Sequence, residues 1–315
     1  MNKLDIIIVN FNAGEQLYDC LKSIEEKADN QFLINQIIVV DNASSDMSIE
    51  KIRGFKLSLK IVMNKVNVGF AKACNQGAKY SDSKYILFLN PDIRLYYDSL
   101  SVPIEFMEKE ENKNIGIIGI QLINDKGEVT KSCVKFPTFS MFLTKILGLH
   151  HLLPPGLSPI YFMYDFDFNS SRLVDQVSGA FFLVRRSLFE KLKGFDERFF
   201  VYFEDRDFSL MSKKIGYSSY YLALAKAYHK GGGTTEKAKG IALFYYIRSG
   251  ILYYYKHFNL FSASMLTFLT LFVEPFTRII FSFLYKSSLY KVRDVLRAYF
   301  LLWHSIFTFS LIKKG

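Results

Sequence analysis

Residues 4–12 have the sequence LDIIIVNFN, a short apolar run rich in β-branched residues that ends in a polar segment. Four more short apolar runs follow it, at residues 36–40, 59–63, 85–89 and 115–120. Between the first runs, apolar residues recur at helical spacing, as at Leu17, Leu21 and Ile24, and residues 71–80 predict another helix. Alternating strands and helices predict an α/β fold with a mostly parallel central sheet flanked by helices.

Polar side chains follow three of the predicted strands. Asn10 and Asn12 follow the first strand, Asp41 follows the second, and Asn90 and Asp92 follow the fourth. Turns and helix caps favour the same residue types, so a single strand of this kind would mean little. Because ligands of parallel sheets bind beyond the carboxyl ends of the strands, three such ends predict a polar binding crevice.

Four side chains are candidates for chemistry. A carboxylate at Asp92 suits Mg²⁺ or Mn²⁺ beside a diphosphate, although a turn with Asp at its tip is the simpler interpretation. Glu204 and Asp205 lie among aromatic residues that can tune proton affinity, although acids also favour helix N-termini. His229 precedes three glycines, which would let a ligand approach, and it is either a metal ligand or a structural residue.

Two nucleotide-binding motifs are absent from the sequence. There is no P-loop and no GxGxxG run, which disfavours Walker-type NTPases and dinucleotide oxidoreductases. Residues 67–77 instead predict a helix that starts at a glycine and carries Asn67 and Asn75 near its two ends.

The middle of the chain has weaker periodicity. Residues 121–175 are predicted to be irregular, with a long loop over residues 154–168 that is typical of a lid or binding element. Residues 177–184 predict a strand and residues 185–191 a short helix. The three cysteines, Cys20, Cys74 and Cys133, show no metal-binding spacing and are predicted to be buried thiols in a reducing compartment.

The last quarter of the chain is basic and aromatic. From residue 240 onward, nine Lys or Arg oppose two acidic residues, so this region carries +7 of the formal net charge of +10. Cations among Phe, Tyr and Leu predict contact with a membrane surface rather than with nucleic acid. The uncharged runs 257–273 and 298–312 fall short of the about 20 residues of a spanning helix. Interfacial helices are the first interpretation, a re-entrant hairpin the second and packed amphipathic helices the third.

Two ranges follow from this composition: a catalytic domain over residues 1–240 and a helical, membrane-associating region over residues 241–315. The N-terminus enters a strand without a basic lead or a cleavage site, so a signal peptide is not expected. These features predict a peripheral protein on the cytoplasmic side of the inner membrane.

Taken together, seven ordered motifs resemble those of family 2 glycosyltransferases of the GT-A fold, especially their rhamnosyltransferase-like branch. The motifs are IVNFN at 8–12, VDNASSD at 40–46, NVGF at 67–70, LNPD at 89–92, SGA at 178–180, GFDE at 194–197 and YFEDRD at 202–207. His229 with the glycines after it also matches, so the resemblance covers about residues 4–235.

The resemblance implies a role for each candidate. Asp41 would accept a hydrogen bond from the imide of uracil or thymine, and Asp205, beside Glu204, would be the catalytic base. Asp92 would hold the metal, with His229 near it. Asn90 stands where many relatives have Asp, which leaves one fewer anionic ligand. The other residues implied in nucleotide-sugar binding are Val9, Asn10, Asn12, Asn67, Gly69, Phe70, Asn75 and Asn90.

The implied activity is inverting glycosyl transfer with Mg²⁺ or Mn²⁺ as the cofactor. The expected donor is dTDP-L-rhamnose, with a UDP-hexose as the alternative. The expected acceptor is a lipid-linked or polysaccharide glycan in bacterial O-antigen or capsule synthesis. A glycosidase, a nucleotidyltransferase and a non-catalytic carbohydrate-binding protein are the rival classes.

Overall fold

The structure, a computed structural model, describes residues 4–26, 34–153, 163, 166–231, 239–284 and 291–307. The chain forms two compact units, each assembled from separate segments. The sheet unit comprises Met1–Lys135, Phe166–Asp196 and Glu204–Thr234, and the helical unit comprises Phe136–Asp165, Glu197–Phe203 and Thr235–Gly315. The helical unit therefore includes two segments from before residue 240, in addition to the C-terminal region that composition marks out.

One nine-stranded sheet forms the centre of the sheet unit. Its strands, numbered in chain order with those of a second small sheet, are β1 Leu4–Asn10, β2 Ile34–Asp41, β3 Leu59–Met63, β4 Tyr85–Leu89, β5 Ile93–Leu95, β6 Ile115–Ile123, β8 Arg172–Val174, β10 Phe181–Arg185 and β11 Ser218–His229. The order is β3-β2-β1-β4-β10-β6-β11-β5, and β8 pairs with β11. Strands β5, β8 and β10 run against the other six. The small sheet pairs β7 Cys133–Val134 with β9 Gln176–Val177.

The described helices lie in both units. In chain order they are α1 Glu15–Glu26, α2 Ser48–Ile52, α3 Phe70–Ala78, α4 Ser101–Glu108, α5 Phe139–Ile146, α6 Arg186–Lys191, α7 Glu204–Lys214, α8 Lys239–His257, α9 Leu260–Phe272, α10 Glu274–Leu284 and α11 Val292–Phe307. Helices α5 and α8–α11 belong to the helical unit. Leu17, Leu21 and Ile24 form the buried face of α1, as their spacing predicts.

The predicted α/β class and mostly parallel sheet are confirmed, because all seven residues of β1 are buried between parallel neighbours. The three cysteines are buried free thiols, as predicted. Two local predictions are wrong. The segment 121–175, expected to be irregular, contains α5, β7 and β8. The single strand expected over 177–184 is two strands, because residues 178–180 leave the ladder and the Gly179 amide donates to Asp205 instead. The predicted loop at 154–168 lies mostly outside the described residues.

The helical unit is held together by aromatic packing. The Phe142 ring lies 4.6 Å from that of Tyr254 and 6.2 Å from that of Phe203, measured between ring centroids. Asn259 caps α9, since its side chain accepts a hydrogen bond from the Ser262 amide at 2.9 Å. In the parts of the chain that the structure describes, no single helix has the length and apolar character to cross a bilayer. Helices α9 and α10, bent by 49° at their junction, meet that test only as a pair.

A Gly119→Ala substitution will destabilise the sheet unit. A Cβ atom at Gly119 in β6 would lie 2.6 Å from Cβ of Val177, a buried residue of β9 that cannot move away freely. We expect a loss of about 1 to 3 kcal/mol in the free energy of unfolding, measured by urea denaturation. Gly54→Ala is the control, because nothing lies within 4 Å of its Cβ position. Equal stability of the two variants would contradict this packing.

Candidate functional site

The carboxyl ends of β1, β2, β4 and β11 lie at one end of the sheet because these strands run in the same direction. We call this end the carboxyl edge. Strand β10 runs the opposite way, so the residues that precede it, Ser178–Ala180, lie at the same edge. Most of the candidate residues predicted from the sequence follow one of these strand ends.

Asn10 and Asp41 form the buried centre of the first part of the site. They are the last residues of β1 and β2, they face each other in the ladder, and both are 0% exposed. Asn10 Nδ2 donates to Asp41 Oδ1 at 2.7 Å and to the Ser48 hydroxyl at 2.8 Å, while Asp41 Oδ2 accepts from the Ser44 amide at 3.0 Å. Asn10 Oδ1 has no partner among the described residues, which leaves a buried acceptor in need of a donor.

Asn12 braces the loop that follows β2. Its amide donates to the Ser44 hydroxyl at 2.9 Å, and its side-chain oxygen accepts from the Ser45 amide at 2.8 Å. The Gly14 amide donates to Asp46 Oδ2 at 2.8 Å. Asn12 adopts a left-handed backbone conformation with φ of 54°, which asparagine tolerates better than most residues. The loops after β1 and β2 are therefore held together, and Val9 near the end of β1 is buried.

The start of α3 lies next to this pair of loops. Asn67 accepts a hydrogen bond from the Gly69 amide at 2.9 Å, and the Asn42 side chain donates to the Gly69 carbonyl at 3.2 Å. Gly69 has φ of 92°, a conformation that favours glycine, and Phe70 begins the helix half-buried. Asn67, Gly69 and Phe70 are thus brought close to the second strand end.

Asn75 has a structural contact that the sequence did not indicate. Its side-chain amide donates to the Phe195 carbonyl at 2.8 Å and accepts from the Phe195 amide at 2.9 Å. This reciprocal pair ties α3 to the segment before α7. A nucleotide contact at Asn75 remains a prediction from the sequence.

Asp92 and His229 approach each other because of strand pairing. His229, the last residue of β11, is the ladder partner of Ile93, which directly follows Asp92. The Lys230 amide donates to the Asp92 carbonyl at 3.3 Å, and His229 Nε2 lies 3.4 Å from Asp92 Oδ2. Within the described residues, no group of three His, Cys, Asp or Glu side chains could hold a metal ion. The pair therefore offers two protein ligands, one oxygen and one nitrogen.

Asp205, in the first turn of α7, is held by three donors. Its Oδ2 accepts from Gln176 Nε2 at 2.8 Å and from the Gly179 amide at 3.1 Å, and its Oδ1 accepts from the Arg206 amide at 2.8 Å. Burial raises the pKa of Asp205, while the Arg206 guanidinium and the backbone donors act in the opposite direction. The result is a fixed carboxylate with an increased proton affinity.

Glu204 has a different environment from its neighbour. Its side chain is 5% exposed, and its Oε2 has no hydrogen-bond partner among the described residues. Burial, followed by repulsion from Asp205, raises the pKa of Glu204 well above the ordinary range of a carboxyl. Burial therefore favours the neutral form of Glu204, whereas three donors support the carboxylate of Asp205.

Strands β4 and β10 bring Asp205 to the carboxyl edge that also holds Asp92. The Asn90 amide donates to the Ala180 carbonyl at 2.9 Å, so the turn that carries Asp92 adjoins the Ser178–Ala180 segment. Gly179 of this segment donates to Asp205. Asp92 and the contact between Gly179 and Asp205 therefore both lie at the carboxyl edge, although Asp205 itself belongs to α7.

A sequence profile of the Glycosyl transferase family 2 matches residues 5–193, more than half of the chain. The chain is a family 2 glycosyltransferase. This glycosyltransferase is 31% identical over 234 residues to Rhamnosyltransferase WbbL of Escherichia coli K12, across 71% of its own length and 82% of that relative. It is 24% identical over 250 residues to N-acetylglucosaminyl-diphospho-decaprenol L-rhamnosyltransferase of Mycobacterium tuberculosis, across 74% and 78% of the two chains. The predicted rhamnosyltransferase-like resemblance is confirmed.

Solved structures show the same fold as this glycosyltransferase. Mannosyltransferase PcManGT from Pyrobaculum calidifontis, in complex with GDP-Man and Mn²⁺, matches with a TM-score of 0.55 and 14% identity. The match covers 99% of this chain and 81% of that one. At this identity the likeness concerns the fold alone, and the predicted GT-A fold is confirmed.

Gln176 is a site residue that sequence reasoning missed. It is 4% exposed, donates to Asp205 and accepts from Arg206 Nε at 3.1 Å, so it bridges two successive residues of α7. No local pattern singles it out, because the contact joins residues 29 apart in sequence. The SGA motif at 178–180 is apparent in the sequence, but only the structure shows that Gly179 donates to Asp205.

A Gln176→Leu substitution will raise the pKa of Asp205 further, because the charged carboxylate loses a hydrogen-bond donor. The measurement is the pH titration of the Asp205 carboxyl carbon by NMR with labelled aspartate, assigned through Asp205→Asn. Gln121→Leu is the matched control, since buried Gln121 donates to the Phe168 carbonyl instead. An unchanged or lower pKa in Gln176→Leu would contradict the bridging role.

Proposed function

We propose that this glycosyltransferase moves L-rhamnose from dTDP-L-rhamnose, with inversion, to a hydroxyl of a lipid-linked glycan in bacterial cell-surface polysaccharide synthesis. The observation that supports the proposal is that Asp205 of α7 accepts a hydrogen bond from Gly179, at the same edge of the sheet as the Asp92–His229 pair. A base and a pair of cation ligands at one edge are what this displacement requires.

The polar groups at the ends of β1 and β2 support a pyrimidine nucleotide as the ligand. Uracil and thymine carry an imide N–H donor, and the two strand ends carry the Asp41 carboxylate and the unpartnered Asn10 Oδ1. A buried acceptor without a donor is costly, so a ligand that supplies an N–H would be stabilised there. Because two relatives are named rhamnosyltransferases, we propose rhamnose as the sugar. A UDP-hexose is the alternative donor with the same imide.

The metal proposal rests on Asp92 and His229. An oxygen and a nitrogen 3.4 Å apart fit one divalent cation and leave positions for diphosphate oxygens. When bound, Mn²⁺ or Mg²⁺ would supply stabilisation of the negative charge on the departing nucleoside diphosphate. The mixed donor set favours Mn²⁺, since Mg²⁺ takes mainly oxygen ligands.

Asp205 would perform the proton transfer. The acceptor oxygen forms a bond to C1 of the sugar, the bond from C1 to the diphosphate oxygen breaks, and the acceptor proton passes to Asp205. One base without a protein nucleophile gives a single displacement and therefore inversion. Gln176 and Gly179 keep the carboxylate oriented, which preserves the geometry of attack.

The acceptor and location are proposed from the helical unit and the relatives. The M. tuberculosis relative is named for a diphospho-decaprenol substrate, a lipid-linked glycan. The region after residue 240 carries +7 of the net charge, which suits an enzyme bound peripherally at the cytoplasmic face of the inner membrane.

An Asp205→Asn substitution will reduce kcat by about 10² to 10⁴-fold. Donor binding will stay nearly unchanged, because only proton transfer is lost. Transfer is measured by release of dTDP in the presence of acceptor, and binding by calorimetry. The acid limb of kcat/KM in the wild type will lie above the ordinary pKa of an aspartate, since activity is lost as Asp205 becomes protonated. Retained turnover with lost binding would contradict the role of Asp205 as the base.

A thermal-stability screen of nucleotide sugars tests donor and metal together. We expect dTDP-L-rhamnose with Mn²⁺ to raise the melting temperature more than any UDP-hexose does, because ligands that bind the folded state stabilise it. In Asp92→Asn the increase due to Mn²⁺ will be lost, while the increase due to dTDP alone will persist. An equal response to Mn²⁺ in both proteins would remove Asp92 from the metal site, and a stronger response to a UDP-hexose would change the donor.

A further inference from the structure

The outer surface of the helical unit has an unusual composition. Large apolar side chains are strongly exposed on three consecutive helices, with Phe261 80% exposed on α9, Phe276 66% on α10 and Phe300 71% on α11. Soluble helices normally direct polar residues outward. Isolated exposed apolar residues need no explanation, but a concentration of this kind marks an interaction surface.

Helix α9 has a buried side and a side that exposes phenylalanines. Ala263, Leu266 and Thr270 are buried against the unit, while Phe261 and Phe268 are exposed on the other side. The helix contains no charged residue, so its solvent-exposed side consists of apolar and small polar side chains. This helix therefore has an apolar face directed away from its own unit.

Helix α10 hides its charges and exposes its rings. Glu274 is buried, and Arg278 Nε and Nη2 both donate to its Oε1, at 2.9 and 2.6 Å. Phe276, Ile280 and Phe283, spaced four and three residues apart, are 66%, 54% and 74% exposed. The only two charged side chains of α10 neutralise each other, and neither counters the apolar character of the exposed face.

Helix α11 adds positive charge to apolar exposure. Arg293, Leu296, Arg297 and Phe300 follow the i, i+3, i+4, i+7 spacing of one helical face, and all four are exposed. Val295 and Leu302 are buried on the opposite side. Arginines interleaved with apolar residues are typical of helices that lie in the headgroup region of an anionic bilayer.

Aromatic contacts and a short bend connect the three helices. The Phe268 and Phe272 rings of α9 are tilted against each other with centroids 4.8 Å apart, and the Trp303 ring of α11 contacts Phe272 edge-on at 5.1 Å. Helix α10 follows α9 across the bend at Val273. A row of aromatic side chains thus connects α9 to α11, with α10 joined directly to α9.

We propose that the exposed faces of α9, α10 and α11 form one docking face for a lipid bilayer that contains anionic phospholipid. The phenylalanines lie at the boundary with the acyl chains, and Arg293 and Arg297 contact headgroup phosphates. Charge selects this occupant, because the exposed side chains that the structure describes on these helices are apolar, polar or basic, while Glu274 is buried and Asp294 is half-buried. A second copy would oppose like charges. The inference deepens the proposed action on a lipid-linked acceptor.

Trp303 is a natural reporter for this face. It is the only tryptophan of the chain, and it contacts Phe272. The full chain, without bound ligand, is mixed with vesicles of phosphatidylcholine alone or with phosphatidylglycerol added, and sedimentation is measured together with Trp303 quenching by brominated lipids. We expect binding that depends on phosphatidylglycerol and weakens with salt. Quenching will be stronger from bromines near the headgroup than from bromines near the chain end.

Substitutions separate the apolar and ionic contributions. Phe261→Ser and Phe276→Ser will each weaken vesicle binding roughly tenfold. Arg293→Gln and Arg297→Gln will each weaken it roughly fivefold and reduce its dependence on salt. Leu224→Ser is the matched control and will change nothing, since Leu224 is 75% exposed on β11 of the sheet unit. Circular dichroism and melting temperature check that each variant is folded.

Three outcomes would overturn the proposal. They are absence of sedimentation with either vesicle, equal loss in Leu224→Ser, or dimerisation that Phe261→Ser abolishes in a protein that does not bind vesicles. Binding of dTDP-L-rhamnose, measured without vesicles on the same variants, keeps the two proposals separate. Vesicle binding without any sugar-nucleotide binding would leave the docking face in place and remove the proposed function, and the reverse would remove only the docking face.

Discussion

The parallel alignment of β1, β2 and β4 brings Asn10, Asp41 and the turn with Asp92 to one edge, because parallel strands end at the same side of a sheet. The register sets Asn10 opposite Asp41, and the pairing of β5 with β11 sets Ile93 opposite His229. A slip of one residue in either ladder would direct these side chains to the opposite face of the sheet. The buried strands specify the register strongly, since their apolar residues leave little tolerance for a shift.

Buried polar groups at this edge are stabilised by mutual pairing. Asn10 and Asp41 are fully buried, and either one alone would carry a substantial desolvation cost. Their hydrogen bonds to each other and to the serines after β2 offset that cost and make the pocket rigid. Among these groups, Asn10 Oδ1 is left without a hydrogen-bond partner in the described residues.

Glu204 and Asp205 show how hydrogen bonding distinguishes two adjacent carboxyls that burial affects in the same direction. Both pKa values are raised by desolvation, but Asp205 is supported by Gln176, Gly179 and Arg206. Glu204 faces the interior with an unpartnered oxygen. In the helical unit, the charged side chains of Glu274 and Arg278 are paired inside, while phenylalanines are exposed on the outside. In each unit, hydrogen bonding and ion pairing decide which groups tolerate burial.

The sequence by itself determined the α/β class, the strands that build the parallel half of the sheet and the polar residues at their ends, because periodicity and strand-end chemistry are local signals. It also determined the basic, aromatic character of the last quarter. The tertiary structure alone decided that Gln176 holds Asp205, that Asn75 binds Phe195 and that α5 interrupts the segment expected to be irregular. Contacts between residues 29 or 120 positions apart leave no local periodicity, since they arise only when the sheet has formed and the loops around it have packed.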